Sequence, residues 1–137
     1  MKLEDMEIYQ IAMEIGDDVW FSVVDWENLA KYSVGQQIIK SSDSIAANIS
    51  EGYGRYHFND RKNFMFYSRG SLFETKTWLT KAKNRSIITE EFFNFEIQKL
   101  ERLGVKLNKS PLISMNHNNS QRITIIHHKS QQFVTNH

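Results

Sequence analysis

Two carboxylates are the first candidates for chemistry. Glu51 ends a polar line, Ser44, Asn48 and Glu51, on one predicted helix, and Glu74 stands with Ser71 on the next. Carboxylates that face each other across a bundle can pass a proton to a substrate or hold a pair of metal ions. The di-iron form of that site also needs Glu-x-x-His on two helices, and the chain contains no Glu-x-x-His. The pattern therefore points to a structural polar network of Ser44, Asn48, Glu51, Ser71 and Glu74 that fixes helix register. Other candidates carry less. The serines between positions 41 and 50 have no histidine spaced to activate them. His127 and His128 are neighbours, so they do not share a helical face as metal ligands would. Gly52-x-Gly54 is too short for a phosphate-binding loop and reads as a helix stop. No catalytic, cofactor-binding or metal-ligating set emerges. The expectation is a protein that is not an enzyme, with no cofactor and no evident small-molecule substrate.

A second kind of chemistry is electrostatic. Residues 1–54 hold 3 Lys/Arg against 10 Asp/Glu, whereas residues 55–85 hold 8 against 2, although the whole chain carries only +1. Arg55, Arg61, Lys62, Arg69, Lys76, Lys81 and Lys83 make up most of this basic segment. Together with Tyr56 and His57 they offer a surface that can meet phosphates and stack on bases. The competing reading is that the basic segment complements the acidic first half, within one molecule or between subunits.

The elements that must position these groups are helices. The 137 residues include one proline, Pro111, and no cysteine, which excludes disulfide scaffolds and thiol chemistry and favours a cytoplasmic setting. No apolar run reaches the roughly 20 residues of a membrane span. In residues 4–24, Ile8, Ile11, Ala12, Ile15, Val19 and Val23 recur at helical spacing, with Met6, Met13 and Trp20 as a second stripe. A turn at residues 25–28 leads to a second helix over 29–52, with Leu29, Val34, Ile38, Ile45 and Ile49 inward. A third helix, capped by Asn59 or Asp60, runs to Asn84. Phe64, Tyr67, Ser71, Glu74, Trp78 and Ala82 are its expected core stripe, and Met65, Leu72 and Leu79 its surplus one. Gly70-Ser71 is expected to admit another helix closely. Thr89 caps a fourth helix whose core face is Phe93, Ile97, Leu100, Leu103 and Leu107.

These features predict an all-α fold, an antiparallel up-down four-helix bundle over residues 1–109 with a flexible polar tail over 110–137. The tail holds a short β-prone run at residues 123–126. The surplus stripes of the first and third helices predict a homo-oligomer, because a monomer would leave them uncovered.

Three motifs give the chain a family resemblance. They are Leu3-x-x-Met6-x-Ile8-Tyr9-x-x-Ala12, then Ser44-Ile45-x-x-Asn48-Ile49-x-Glu51-Gly52-x-Gly54-Arg55, then Phe64-x-x-Tyr67-x-x-Gly70-Ser71-x-x-Glu74. Over roughly residues 2–108 the chain resembles the four-helix-bundle proteins encoded in intervening sequences of bacterial large-subunit ribosomal RNA genes. That family is similar in fold to the accessory variability protein of diversity-generating retroelements. The resemblance implies an up-down bundle that assembles as a ring, typically a pentamer, with no established catalysis. Nucleic acid as a partner is implied through the retroelement relatives, for which such binding is better supported. The chain departs from the family where Gln37-Ile38 is followed by Ile39-Lys40 rather than a basic pair, and where Asp25-Trp26 replaces a common Phe-Pro.

Overall fold

The computed structural model describes residues 1–111 and 113, and all regular structure among them is helical. After a single 3-10 turn at Leu3–Asp5, helix α1 spans Glu7–Val23. Helix α2 runs without a break over residues 28–54, through Asn28–Ala30, a wider π-helical stretch at Lys31–Gly35, and Gln36–Gly54. Helix α3 spans Phe58–Asn84 and α4 spans Glu90–Asn108. The connections are short, so sequence neighbours pack antiparallel. Contacts run from α1 to α2, α2 to α3, α3 to α4 and α4 back to α1, which places the helices at the corners of a square. The α1/α2 side and the α3/α4 side are therefore opposite faces. No helix of the described residues is long and apolar enough to cross a membrane.

The core follows from the apolar stripes, with one exchange of faces. Ile8, Ile11, Ala12, Ile15, Val19 and Val23 of α1 are all buried, as their spacing requires. On α3 the expected roles reverse. Met65, Leu72 and Leu79 are fully buried, together with Ser68, Thr75 and Ala82. Tyr67 and Glu74, expected inward, are exposed, and Phe64, Ser71 and Trp78 are half-buried. Ser71, Glu74 and Trp78 each sit one residue, about 100° of helix, away from Leu72, Thr75 and Leu79. Two polar residues in the contact line, Ser68 and Thr75, hid it from a reading of apolar periodicity. Both are satisfied. Ser68 Oγ donates to the Ile45 carbonyl at 2.9 Å, and Thr75 Oγ1 lies 2.8 Å from the Ser71 carbonyl and 3.0 Å from Ser41 Oγ.

The ends differ in smaller ways. Thr89 caps α4, its hydroxyl accepting from Phe92 N at 3.1 Å. Helix α3 starts before its expected caps, with His57 at the cap position making no side-chain cap bond and Asp60 in the first turn. Leu29 is exposed, because it lies one residue too far from Val34 to share its face. Neither Gly52 nor Gly54 stops α2 by a left-handed turn, since no described glycine has positive φ. Gly52 serves close packing instead. A Cβ there would lie 2.8 Å from Met65 Cε, 3.0 Å from Phe64 Cβ and 3.2 Å from the Arg61 carbonyl oxygen. Gly70 is the converse: a Cβ there would meet nothing within 4 Å, so no helix of the same bundle explains it.

The four helices of the bundle lie between Glu7 and Asn108. Of the expected tail, Ser110 is buried and Ile113 packs against the core cluster. The run at residues 123–126 and His127 and His128 lie outside the described residues.

Candidate functional site

The candidate carboxylates do not converge. Glu51 and Glu74 are both exposed and are occupied within their own helices. Glu51 pairs with Arg55 at 2.6 Å, and Glu74 accepts from Trp78 Nε1 at 3.3 Å. Ser44 Oγ donates to the Lys40 carbonyl at 2.6 Å, while Asn48 and Ser71 are half-buried. Ser44, Asn48, Glu51, Ser71 and Glu74 are thus not joined into one network among the described residues. The α2–α3 hydrogen bonds run through Ser41, which shares the α2 face of Ser44 and Asn48, and through Ser68 and Thr75, one residue round α3 from its expected line.

The buried carboxylate is Glu96, which the sequence reading missed. It is 0% exposed, and the side chain within hydrogen-bonding reach of its carboxyl is Asp18, a bond that requires a proton on one of the two acids. Burial, with Asp18 alongside, pushes its carboxyl up to about 9. Its signal was present: Glu96, Leu100, Leu103 and Leu107 share one helical stripe, but a carboxylate in that line reads as surface. Beside it Lys99 Nζ donates to Glu14 at 2.6 Å and to Asp18 at 2.7 Å. Burial works against the Lys99 charge, yet the bonds to Asp18 and Glu14 outweigh it and hold the ammonium above its ordinary value.

Glu7, Glu14 and Asp18 of α1 are taken up by α4, not by the basic segment. Besides Lys99, Arg102 and Lys106 pair with Glu7 at 3.3 and 3.1 Å. The expected complement of residues 1–54 and 55–85 within one molecule is limited to Arg55–Glu51. Arg61, Lys62, Arg69, Lys76, Lys81 and Lys83 have no ion pair among the described residues. Arg61 Nε donates to the Arg55 carbonyl at 2.6 Å. Several of the others lie over rings. Lys62 is 5.5 Å from the Phe66 centroid, Arg69 and Lys76 are 5.8 and 5.5 Å from Phe73, and Lys83 is 4.3 Å from Phe93. Lys62, Phe66, Arg69, Phe73 and Lys76 alternate at helical spacing, a ladder of cations and rings on the outside of α3.

Each of the two opposite faces carries a shallow groove. The α1/α2 groove, about 330 Å³, is lined by Tyr9, Met13, Ala47 and Ser50 with Asp17 and Asp43. Partial burial, and then Asp17, raises the Asp43 carboxyl. The α3/α4 groove, about 240 Å³, is lined by Phe73 and Val105 with the cations Arg69 and Lys76 and one acid, Glu101. Met13 is 44% exposed and Phe73 52%, so both grooves carry uncovered apolar surface, the first beside two acids and the second beside two cations and one acid.

Comparison with known proteins is consistent with this architecture. The family model described as 23S rRNA-intervening sequence protein matches residues 4–109. No curated protein matches the chain. Among solved structures, the chain is similar to a protein with unknown function from the S23 ribosomal protein family of Bacteroides thetaiotaomicron VPI-5482. The identity is 20% and the TM-score 0.68, over 74% of this chain and 95% of that one. At that identity the likeness carries the fold alone.

Proposed function

Because the chain belongs to the 23S rRNA-intervening sequence protein family, we propose that it works without catalysis, as a bundle that assembles with its own copies into an interaction scaffold. The observation that supports this reading is the complementarity of the two opposite faces. The α1/α2 groove offers Met13 with Asp17 and Asp43, and the α3/α4 groove offers Phe73 with Arg69 and Lys76, two cations against the single acid Glu101. When two different patches on one subunit match, contact is head-to-tail and closes into a ring if the rotation allows. Apolar contact supplies the affinity and the charges orient it. Gly70 fits the same reading, since an exposed mid-helix glycine costs about 1 kcal/mol against alanine and permits close approach from outside. The family resemblance supports five subunits as the size of the proposed ring.

Size exclusion with light scattering tests this. The wild-type protein is expected to elute as a discrete oligomer. Met13→Glu and Phe73→Glu are each expected to give monomers with unchanged helical circular dichroism. A monomeric wild type at tens of micromolar would contradict the reading.

The α3 ladder supports a second reading, an accessory protein that binds RNA or a ribonucleoprotein. Unpaired cations meet phosphates, and exposed rings stack on unpaired bases. The unpaired cations are Arg61, Lys62, Arg69, Lys76, Lys81 and Lys83, with Phe66 and Phe73 between them; Arg55, held by Glu51, would have to leave that pair to join them. Fluorescence anisotropy with a labelled single-stranded RNA is expected to show affinity falling by more than tenfold between about 50 and 200 mM salt. Arg69→Ala with Lys76→Ala should weaken it and flatten the salt slope. Equal binding by that double variant would remove the ladder from consideration.

A further inference from the structure

The outer face of α1 carries a line of side chains that the bundle leaves uncovered. Met13, Asp17, Trp20 and Val24 follow one another at steps of four, three and four residues, so they share one stripe of the helix. Met13, Trp20 and Val24 are 44%, 49% and 42% exposed. Asp17 and Asp43, which sit together at one end of the α1/α2 groove, have no ion pair or hydrogen bond among the described residues. The groove stays open because Ala12, Gly16, Ala46 and Ala47 have so little side chain to fill it.

The outer line of α3 repeats this pattern in the reverse direction. Phe66, Arg69, Phe73 and Lys76 follow at steps of three, four and three residues. With Met13 placed at the level of Phe73 and the two helices antiparallel, each step forward along α1 is a step backward along α3. Asp17 then stands level with Arg69, and Trp20 with Phe66. The two-turn step between the apolar anchors, about 10 Å, is the same on both helices. Gly16 stands level with Gly70, where a Cβ on α3 would meet nothing within 4 Å of its own subunit. Lys76 falls one residue from Tyr9, which lines the other end of the groove. A parallel setting matches none of this. It places Asp17 level with Thr77 and Trp20 level with Thr80, and it leaves Phe66 opposite Met6, before α1 begins.

Resting on the head-to-tail assembly described above, we propose that α1 of one subunit packs antiparallel against α3 of the next, with Met13 against Phe73, Asp17 and Asp43 against Arg69, and Trp20 against Phe66. The guanidinium of Arg69 is planar and can receive two carboxylates from one side each, which suits a pair of acids better than an ammonium does. In the free subunit Arg69 lies over the Phe73 ring, so ring and cation enter the contact together. Glu101, the acid of the α3/α4 groove, leaves one of Arg69 and Lys76 for the neighbour. The apolar pairs supply the contact area, and the central charges exclude a slip of one turn or a reversed approach.

Cross-linking tests the register, because the chain has no cysteine of its own. The full chain carrying Asp17→Cys is co-expressed with one carrying Gly70→Cys, and separately with one carrying Thr80→Cys, and each mixture is treated with a short bis-maleimide. All three positions are exposed. Antiparallel packing brings position 17 within one residue of the level of 70 and leaves it eleven residues, about 16 Å, from the level of 80. A product of twice 16.2 kDa on a denaturing gel is expected with Gly70→Cys, and at least about tenfold less with Thr80→Cys. Asp17→Arg and Arg69→Asp should each raise the concentration of half-assembly by at least about tenfold, and the two together should bring it back toward the wild-type value. A Thr80→Cys product as strong as the Gly70→Cys one, no product from either mixture, or a double variant no better than the single ones would overturn this packing while an oligomeric wild type leaves the assembly standing. A monomeric wild type would end the assembly itself.

Discussion

The wild-type bundle is expected to lose on the order of 3 kcal/mol of stability between about pH 5 and pH 9, and Glu96→Gln to remove most of that loss. In the unfolded chain Glu96 ionises near its ordinary value of 4.5, whereas in the fold it stays neutral up to about 9. Between these values the folded state holds one proton more than the unfolded state. Raising the pH then favours unfolding by about 1.4 kcal/mol per unit. The full span would give about 6 kcal/mol; sharing of the proton with Asp18 and entry of water on ionisation reduce it. Below the unfolded value the penalty is absent. Glu7 acts in the opposite direction, lowered first by its bond to Lys106, but it is exposed and its effect is small. Urea melts at pH 5, 7 and 9 measure the difference. A falling midpoint for wild type beside a flat one for Glu96→Gln is the expected outcome, and parallel curves would show that Glu96 ionises freely in the fold.

Leu79→Glu is expected to abolish the cooperative melt, whereas Phe73→Glu leaves it intact. Leu79 is 0% exposed on the α3 contact face. A carboxylate there loses its hydration with no cation or donor built to receive it, which costs several kcal/mol and leaves a void in the packing. That is a large share of the roughly 5–15 kcal/mol that holds a domain folded. Phe73 is on the outer ladder, where a charge remains in water. Thermal circular dichroism on dilute samples compares the two. A cooperative Leu79→Glu variant would return the Met65, Leu72 and Leu79 stripe to the surface.

This contrast also shows where the sequence was legible. Helix α1 has a strong apolar stripe opposed by acids, so its core face could be read directly. Helix α3 has three competing stripes of apolar residues, and its true contact line is diluted by Ser68 and Thr75. Only the partners that α2 supplies, the Ile45 carbonyl and Ser41, distinguish that line from its neighbours. Glu96 was hidden for the same reason, since side-chain polarity argues for the surface until the packing around it is known. Gly52 was assigned to a helix stop because its neighbour in space, Arg61 of α3, cannot be inferred from local sequence.

The faces that remain exposed are the basis of the assembly proposed above, and a mixing experiment tests it most directly. Met13→Glu spoils the α1/α2 face but keeps the α3/α4 face; Phe73→Glu does the reverse. In head-to-tail contact, an equimolar mixture has one working interface per pair and no way to continue the ring. Light scattering should report a monomer of 16.2 kDa for each variant alone and a species of about twice that mass for the mixture. A mixture that stays monomeric, or a single variant that keeps the wild-type mass, would contradict head-to-tail assembly through these two faces.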